Sequence, residues 1–124
     1  MAESFSGRKR LKSFVFAFAG LRAVLRTEHN TWIHLAFTIV VALMALLLHV
    51  SSMEWVALVI VFAMVWMAEI FNTVFEKLAD LYTTDHHPQI KVIKDMAAGA
   101  VLIAAMAAFL VGCFIFIPRI IALI

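Results

Sequence analysis

Polar surface is what this sequence has least of: charged residues fill 15% of its 124 positions and hydrophobic ones 65%, well above the roughly half of a soluble globular protein. A chain this apolar needs lipid or partner subunits to cover it. Disulfide stapling is excluded, because the single cysteine, Cys113, lies within an apolar run and has no second thiol to pair with. No cleaved signal peptide is expected: the basic start leads into an apolar run over 14–25 that Arg22 interrupts, and no small-residue cleavage pattern precedes Arg26. The net charge of +2 is too slight to suggest a nucleic-acid partner. Internal repeats, low-complexity tracts and a soluble domain are all missing, so one domain over 1–124 is expected. So are a Gly-x-x-x-x-Gly-Lys loop and a glycine-rich kinase loop, which excludes the usual nucleotide-binding folds.

What is present is three apolar stretches, at 32–50, 55 to about 75 and 96–117, each near the roughly 20 residues that cross a bilayer as helix. They are too continuous for barrel strands, and only helices or closed barrels span lipid. The expected fold is therefore all-α and integral to the membrane, with three transmembrane helices over about 32–50, 55–80 and 92–118. Between the first two, His49-Val50-Ser51-Ser52 is a turn so short that its flanking helices are expected to be antiparallel neighbours. Six lysines and arginines precede Trp32 (Arg8, Lys9, Arg10, Lys12, Arg22, Arg26), none separates the first two spans, and three follow the second (Lys77, Lys91, Lys94). By the positive-inside rule the N-terminus and the second loop face the cytoplasm.

Ahead of the first span, Leu11, Phe14, Phe18, Leu21 and Leu25 mark one apolar stripe. Arg8, Lys12, Arg22 and Arg26 gather within about 80° of one another at 100° per residue. An amphipathic surface helix over about 5–27, lying on the inner leaflet, is expected. Its basic face can anchor to anionic lipid or bind phosphate directly.

The second span carries the chemistry. Glu69, Asn72, Thr73, Glu76 and Asp80 fall within about 100° of one helix face. Counted from Trp55, Glu69 lies roughly 21 Å deep at 1.5 Å per residue, in the inner part of the hydrocarbon, where a lone carboxylate costs on the order of 3 kcal/mol or more. The third span opens with Lys94-Asp95 and Ala97-Ala98-Gly99-Ala100, whose small side chains permit close approach of a helix or headgroup. Glu28, Asn30 and His34 stand where the surface helix turns into the first span. Such a set suits phosphoryl transfer: two carboxylates and ATP phosphates around Mg2+, a third carboxylate to take the proton of an attacking hydroxyl, and a lysine to neutralise the transferring group. The plainer reading is that the charges pair across spans and glue helices together. His34 and His49 read as interfacial residues, and His86-His87 lacks a paired ligand set for a metal, leaving that loop for nucleotide contact.

Glu69-x-x-Asn72-Thr73-x-x-Glu76-x-x-x-Asp80, with Lys94-Asp95-Met96-Ala97-Ala98-Gly99-Ala100 downstream and Gly20-Leu21-Arg22-Ala23 and Glu28 upstream, resembles the prokaryotic diacylglycerol kinase family, which includes undecaprenol kinases. The likeness runs from about Arg10 to the end. It implies a homotrimer in the bacterial cytoplasmic (inner) membrane, with active sites at the cytoplasmic interface between subunits and transfer of the γ-phosphate of ATP to a lipid hydroxyl with Mg2+. On this resemblance Glu69 is the base, Asn72 positions acceptor or phosphate, and Glu28 and Glu76 are metal ligands. Lys12, Glu28, Glu76, Asp80, Asp85, His86, His87, Lys94 and Asp95 line the nucleotide site, and Arg22, Glu69 and Ala98 the lipid site. Phe16 stands where some members place a tyrosine near ATP. Glu28-His29-Asn30-Thr31-Trp32-Ile33-His34 and His87-Pro88 look more like the undecaprenol branch, so undecaprenol is favoured over diacylglycerol. The rival from another class is a non-catalytic membrane subunit in which Glu69 and Asp80 relay charge.

Overall fold

A computed structural model describes residues 7–124. Four helices follow one another: α1 (Gly7–Thr27), α2 (His29–Leu47), α3 (Ser52–Tyr82) and α4 (Pro88–Ile121). The described residues contain no strand. The surface-helix reading began at about residue 5, so its first two positions lie outside the described residues.

Three helices, α2, α3 and α4, are long and apolar enough to cross a membrane. The last two exceed the length a bilayer requires. At 31 and 34 residues they run about 46 and 51 Å, against a hydrocarbon core of about 30 Å. Their joined ends, around Glu76, Asp80, Lys94 and Asp95, therefore extend the bundle beyond the apolar slab as paired helices. The α3 start sits earlier than the apolar run suggests because Ser51 and Glu54 form a capping box. The Ser51 backbone N–H and hydroxyl both donate to Glu54 Oε2 at 2.7 Å, and the Ser51 hydroxyl oxygen accepts from the Glu54 N–H. The α4 start is also earlier, at Pro88, whose fixed φ and missing N–H suit the first turn.

Glu28 alone separates α1 from α2, with extended dihedrals of φ −110° and ψ 111°. All α1 residues remain at least partly exposed, as an amphipathic helix awaiting a lipid surface must be. At the other end of α2, His49 takes φ 50° to complete the reversal into α3, and Val50 tucks under it into a cluster of Ala45, Leu58, Ile115 and Phe116. Beside that cluster Arg119 of α4 grips Glu54 of α3 with two N–H···O contacts of 2.6 Å.

The short turn does bring α2 back along α3, but the close neighbours are α3 and α4. Their backbones approach far more extensively than those of α2 and α3. Between α2 and the α3–α4 pair opens an apolar crevice of about 560 Å³, walled by residues such as Phe37, Val41, Phe62, Val65, Phe109 and Phe116. At the small-residue stretch that starts α4, a Cβ on Gly99 would meet nothing within 4 Å. Close packing at Gly99 is thus not made within the protomer.

Candidate functional site

The polar face of α3 is the spine of the site, and each acid on it finds a partner from a different direction. Glu69, deepest in the span, puts Oε1 2.6 Å from Nε2 of His34 on α2. One turn on, the Asn72 amide donates to Glu76 Oε1 at 3.2 Å, while Asn72 Oδ1 is buried without a partner among the described residues. Lys77 Nζ reaches Glu28 Oε1 at 2.8 Å, tying the α1–α2 corner to α3. Asp80 Oδ1 accepts from Lys94 Nζ at 2.6 Å, tying α3 to α4.

The remaining candidates are placed less centrally. Asp95 pairs along its own helix with Lys91 at 2.5 Å, so the adjacent Lys94 and Asp95 serve different partners. In the α3–α4 loop the Asp85 N–H donates to the Thr83 hydroxyl at 3.1 Å, and His86 is exposed. His87 lies edge-on to Tyr82 at 6.3 Å, with Nδ1 buried and unpartnered among the described residues. Lys12 and Arg22 are exposed on α1, and Ala98 is exposed on α4. Lys12 lies fifteen residues, about 22 Å along the helix, from the Thr27 end of α1.

Glu28 lies outside the spans, and its electrostatics are clear. The Lys77 ammonium beside it holds its carboxyl below the usual carboxylate range; partial burial pushes the other way, and the Thr27 hydroxyl adds a further lowering contact. The carboxylate therefore stays ionised into mildly acidic conditions.

His34, Lys77 and Lys91 take part in this network but were absent from the sequence-derived set. Two of them had a legible signal. Lys77 follows Glu76 in the chain, about 40° beyond the edge of the polar arc. His34 lies 16 residues before Val50 and Glu69 lies 18 after Ser51, so an antiparallel pair sets them within about 3 Å of the same height.

Whether the donors suit Mg2+ is decided by their chemistry. Among the described residues no three His, Cys, Asp or Glu side chains form a self-sufficient metal cluster. Mg2+ does not ask for one, since it takes one or two carboxylates and completes its octahedron with phosphate oxygens and water. Glu76 and the orphaned Asn72 Oδ1 are hard oxygens one turn apart on α3, and Lys77 links Glu28 to the same stretch of that helix. The set fits.

Comparison with known proteins identifies the family. Residues 15–116 match the family described as prokaryotic diacylglycerol kinase. An undecaprenol kinase of Bacillus subtilis is 37% identical over 108 residues, covering 87% of this chain and 88% of that protein. A diacylglycerol kinase of Synechocystis is 36% identical over 114 residues, covering 91% of this chain and 65% of the relative. With the matched segment spanning α2, α3 and nearly all of α4, together with the acid-bearing face between them, the chain belongs to the prokaryotic diacylglycerol kinase family.

Proposed function

We propose that this protein transfers the γ-phosphate of ATP to the hydroxyl of a membrane lipid alcohol, undecaprenol in preference to diacylglycerol, at the cytoplasmic face of the bacterial inner membrane. That it is a lipid kinase, an alcohol-accepting phosphotransferase with multiple membrane spans, follows from its family and its three apolar helices. The further detail rests chiefly on one observation: Glu69, Asn72, Glu76 and Asp80 share one face of α3, and two of the acids are held by side chains of α2 and α4. A charge-relay subunit would need ionisable groups along the whole crossing path. Here α3 carries none between Trp55 and Ala68, which favours an interfacial reaction over translocation.

In this reading the lipid presents its hydroxyl from the bilayer side and the nucleotide arrives from the cytoplasm. Glu69, at the junction, receives the hydroxyl proton as the new O–P bond forms in line with the departing ADP oxygen. Lys94 and the Lys77–Glu28 pair lie on the aqueous side, where negative phosphate charge has to be balanced. Glu28 and Glu76 would hold Mg2+, which when bound supplies charge neutralisation and orientation of the phosphates. Lys12, Asp85, His86, His87 and Asp95 belong to the nucleotide side of the proposal, and Arg22 and Ala98 to the lipid side. The reading includes a homotrimer whose sites lie between subunits, with Lys12 assigned to the nucleotide side of such a shared site.

The undecaprenol preference draws on the Bacillus relative, which is named an undecaprenol kinase and is matched over nearly its full length. The Synechocystis relative's name favours diacylglycerol as the second reading. Purified protein given γ-labelled ATP, Mg2+ and an equimolar mixture of undecaprenol and diacylglycerol separates them. Label chiefly on undecaprenol supports the first reading; label chiefly on diacylglycerol replaces it with the second.

A further inference from the structure

His34 was not among the residues expected to take part in the reaction, yet its Nε2 lies 2.6 Å from Glu69 Oε1. At that distance the imidazole and the carboxylate are in direct polar contact. We propose that His34 is the positioning residue of Glu69: the proton it shares with Oε1 fixes the carboxylate so that Oε2 faces the acceptor hydroxyl. The inference rests on Glu69 being the base.

Several observations carry it. Both side chains are only partly accessible, 28% for His34 and 21% for Glu69. At their height the bundle offers no other ionisable partner, because α2 has none from Leu35 to Leu48, α3 none from Trp55 to Ala68, and α4 only Cys113 between Met96 and Pro118. Glu69 Oε2 has no partner among the described residues, which leaves it open to a substrate. One turn along, α2 is tied to α3 a second time. Trp66 Nε1–H of α3 donates to Thr38 Oγ1 at 3.2 Å, and the Thr38 hydroxyl donates to the His34 carbonyl at 2.7 Å. Two polar links thus join α2 to α3 here, although the two backbones diverge around the apolar crevice that His34 lines. A crevice between helices is a place where α2 can shift, and a carboxylate whose second oxygen must meet a hydroxyl tolerates little shift.

The proton count is simple. The acceptor O–H gives its proton to Glu69 Oε2, the acceptor oxygen bonds to the γ-phosphorus, and the bond from phosphorus to the ADP oxygen breaks. His34 keeps its own proton throughout.

The test measures kcat and KM for the full-length protein in lipid nanodiscs, with saturating lipid and Mg2+. His34→Leu is expected to lower kcat by on the order of tenfold to a hundredfold, with KM for ATP within about twofold of wild type. His34→Gln, which restores an N–H near the same point, is expected to recover most of kcat. In a Glu69→Asp background, whose shortened acid no longer reaches His34, adding His34→Leu is expected to cost little more. Wild-type kcat in His34→Leu, or equal impairment of the Leu and Gln variants, overturns the proposal. Should His34→Leu fail to fold, His34→Asn takes its place, with the same loss expected and wild-type kcat again overturning it. Glu69→Gln separates the two layers: if it stays active, the base assignment itself fails. If it is inactive while His34→Leu is unaffected, only the role of His34 fails.

Discussion

Glu76 accepts from Asn72 and leaves the Asn72 oxygen buried and unsatisfied. A buried acceptor without a partner costs about 1–3 kcal/mol, which a cation or a bound phosphate partner would relieve. Glu76→Gln removes the charge while keeping the shape, so the Mg2+ concentration for half-maximal rate should rise on the order of tenfold or more. A Mg2+ titration of initial rate reads this, and an unchanged midpoint removes Glu76 from the metal site. At Glu28 the linkage runs through Lys77. The folded-state carboxyl is held below its ordinary value of 4.5, so the stability it contributes is fully present above that value and is lost as pH falls through the lowered one. Melting curves of wild type and Lys77→Met should therefore differ near neutrality and converge as the pH falls through the lowered carboxyl range. The acids were legible in the sequence because a carboxylate at the depth of Glu69 is too costly to be idle. His34 was not, because an imidazole at the edge of a span reads equally well as an interfacial residue, and only the antiparallel register pairs it with Glu69.

Helix ends, more than helix interiors, decide where the chemistry lies. The apolar runs located all three spans, but hydropathy fades where α3 and α4 continue as polar helices past Glu76 and ahead of Asp95. The sequence did contain the true starts, as Ser51-x-x-Glu54 and as Pro88. At the far end of the bundle the capping box and the Glu54–Arg119 grip share one carboxylate, so the start of α3 and the end of α4 are set by a single side chain. Ser51→Ala removes one arm and is expected to destabilise the fold by about 1 kcal/mol. Lipid phosphorylation should be unaltered, since the cap lies 18 residues, about 27 Å along the helix, from Glu69. Thermal melts paired with kinase rates check both halves. The divergence of α2 from α3 was not legible, because a four-residue turn constrains only the ends it joins and says nothing of the crevice beyond.

Taken whole, the protomer exposes 9784 Å², against about 6,700 Å² for a compact soluble protein of its mass of 13.9 kDa. The excess is apolar: Phe14, Phe18, Phe37, Phe71, Phe109 and Phe114 are all exposed. Lipid covers much of such a surface, and the open Gly99 stretch offers a face that further copies can cover. Native mass spectrometry from detergent micelles is expected to find three chains per particle; a particle of one chain that is fully active contradicts the proposed assembly. Composition made the membrane setting legible, whereas the assembly depends on surfaces that a single chain leaves unpaired.

The central claim is that the Glu69 carboxylate, set at the inner membrane face beside a metal-binding acid pair, takes the proton from a lipid alcohol as phosphate is transferred to it. The most direct measurement follows labelled γ-phosphate into extracted lipid, comparing wild type with Glu69→Gln at matched folding and assembly. Labelled lipid from the wild type and none above background from Glu69→Gln is the predicted result. Equal labelling by the two proteins would contradict the account.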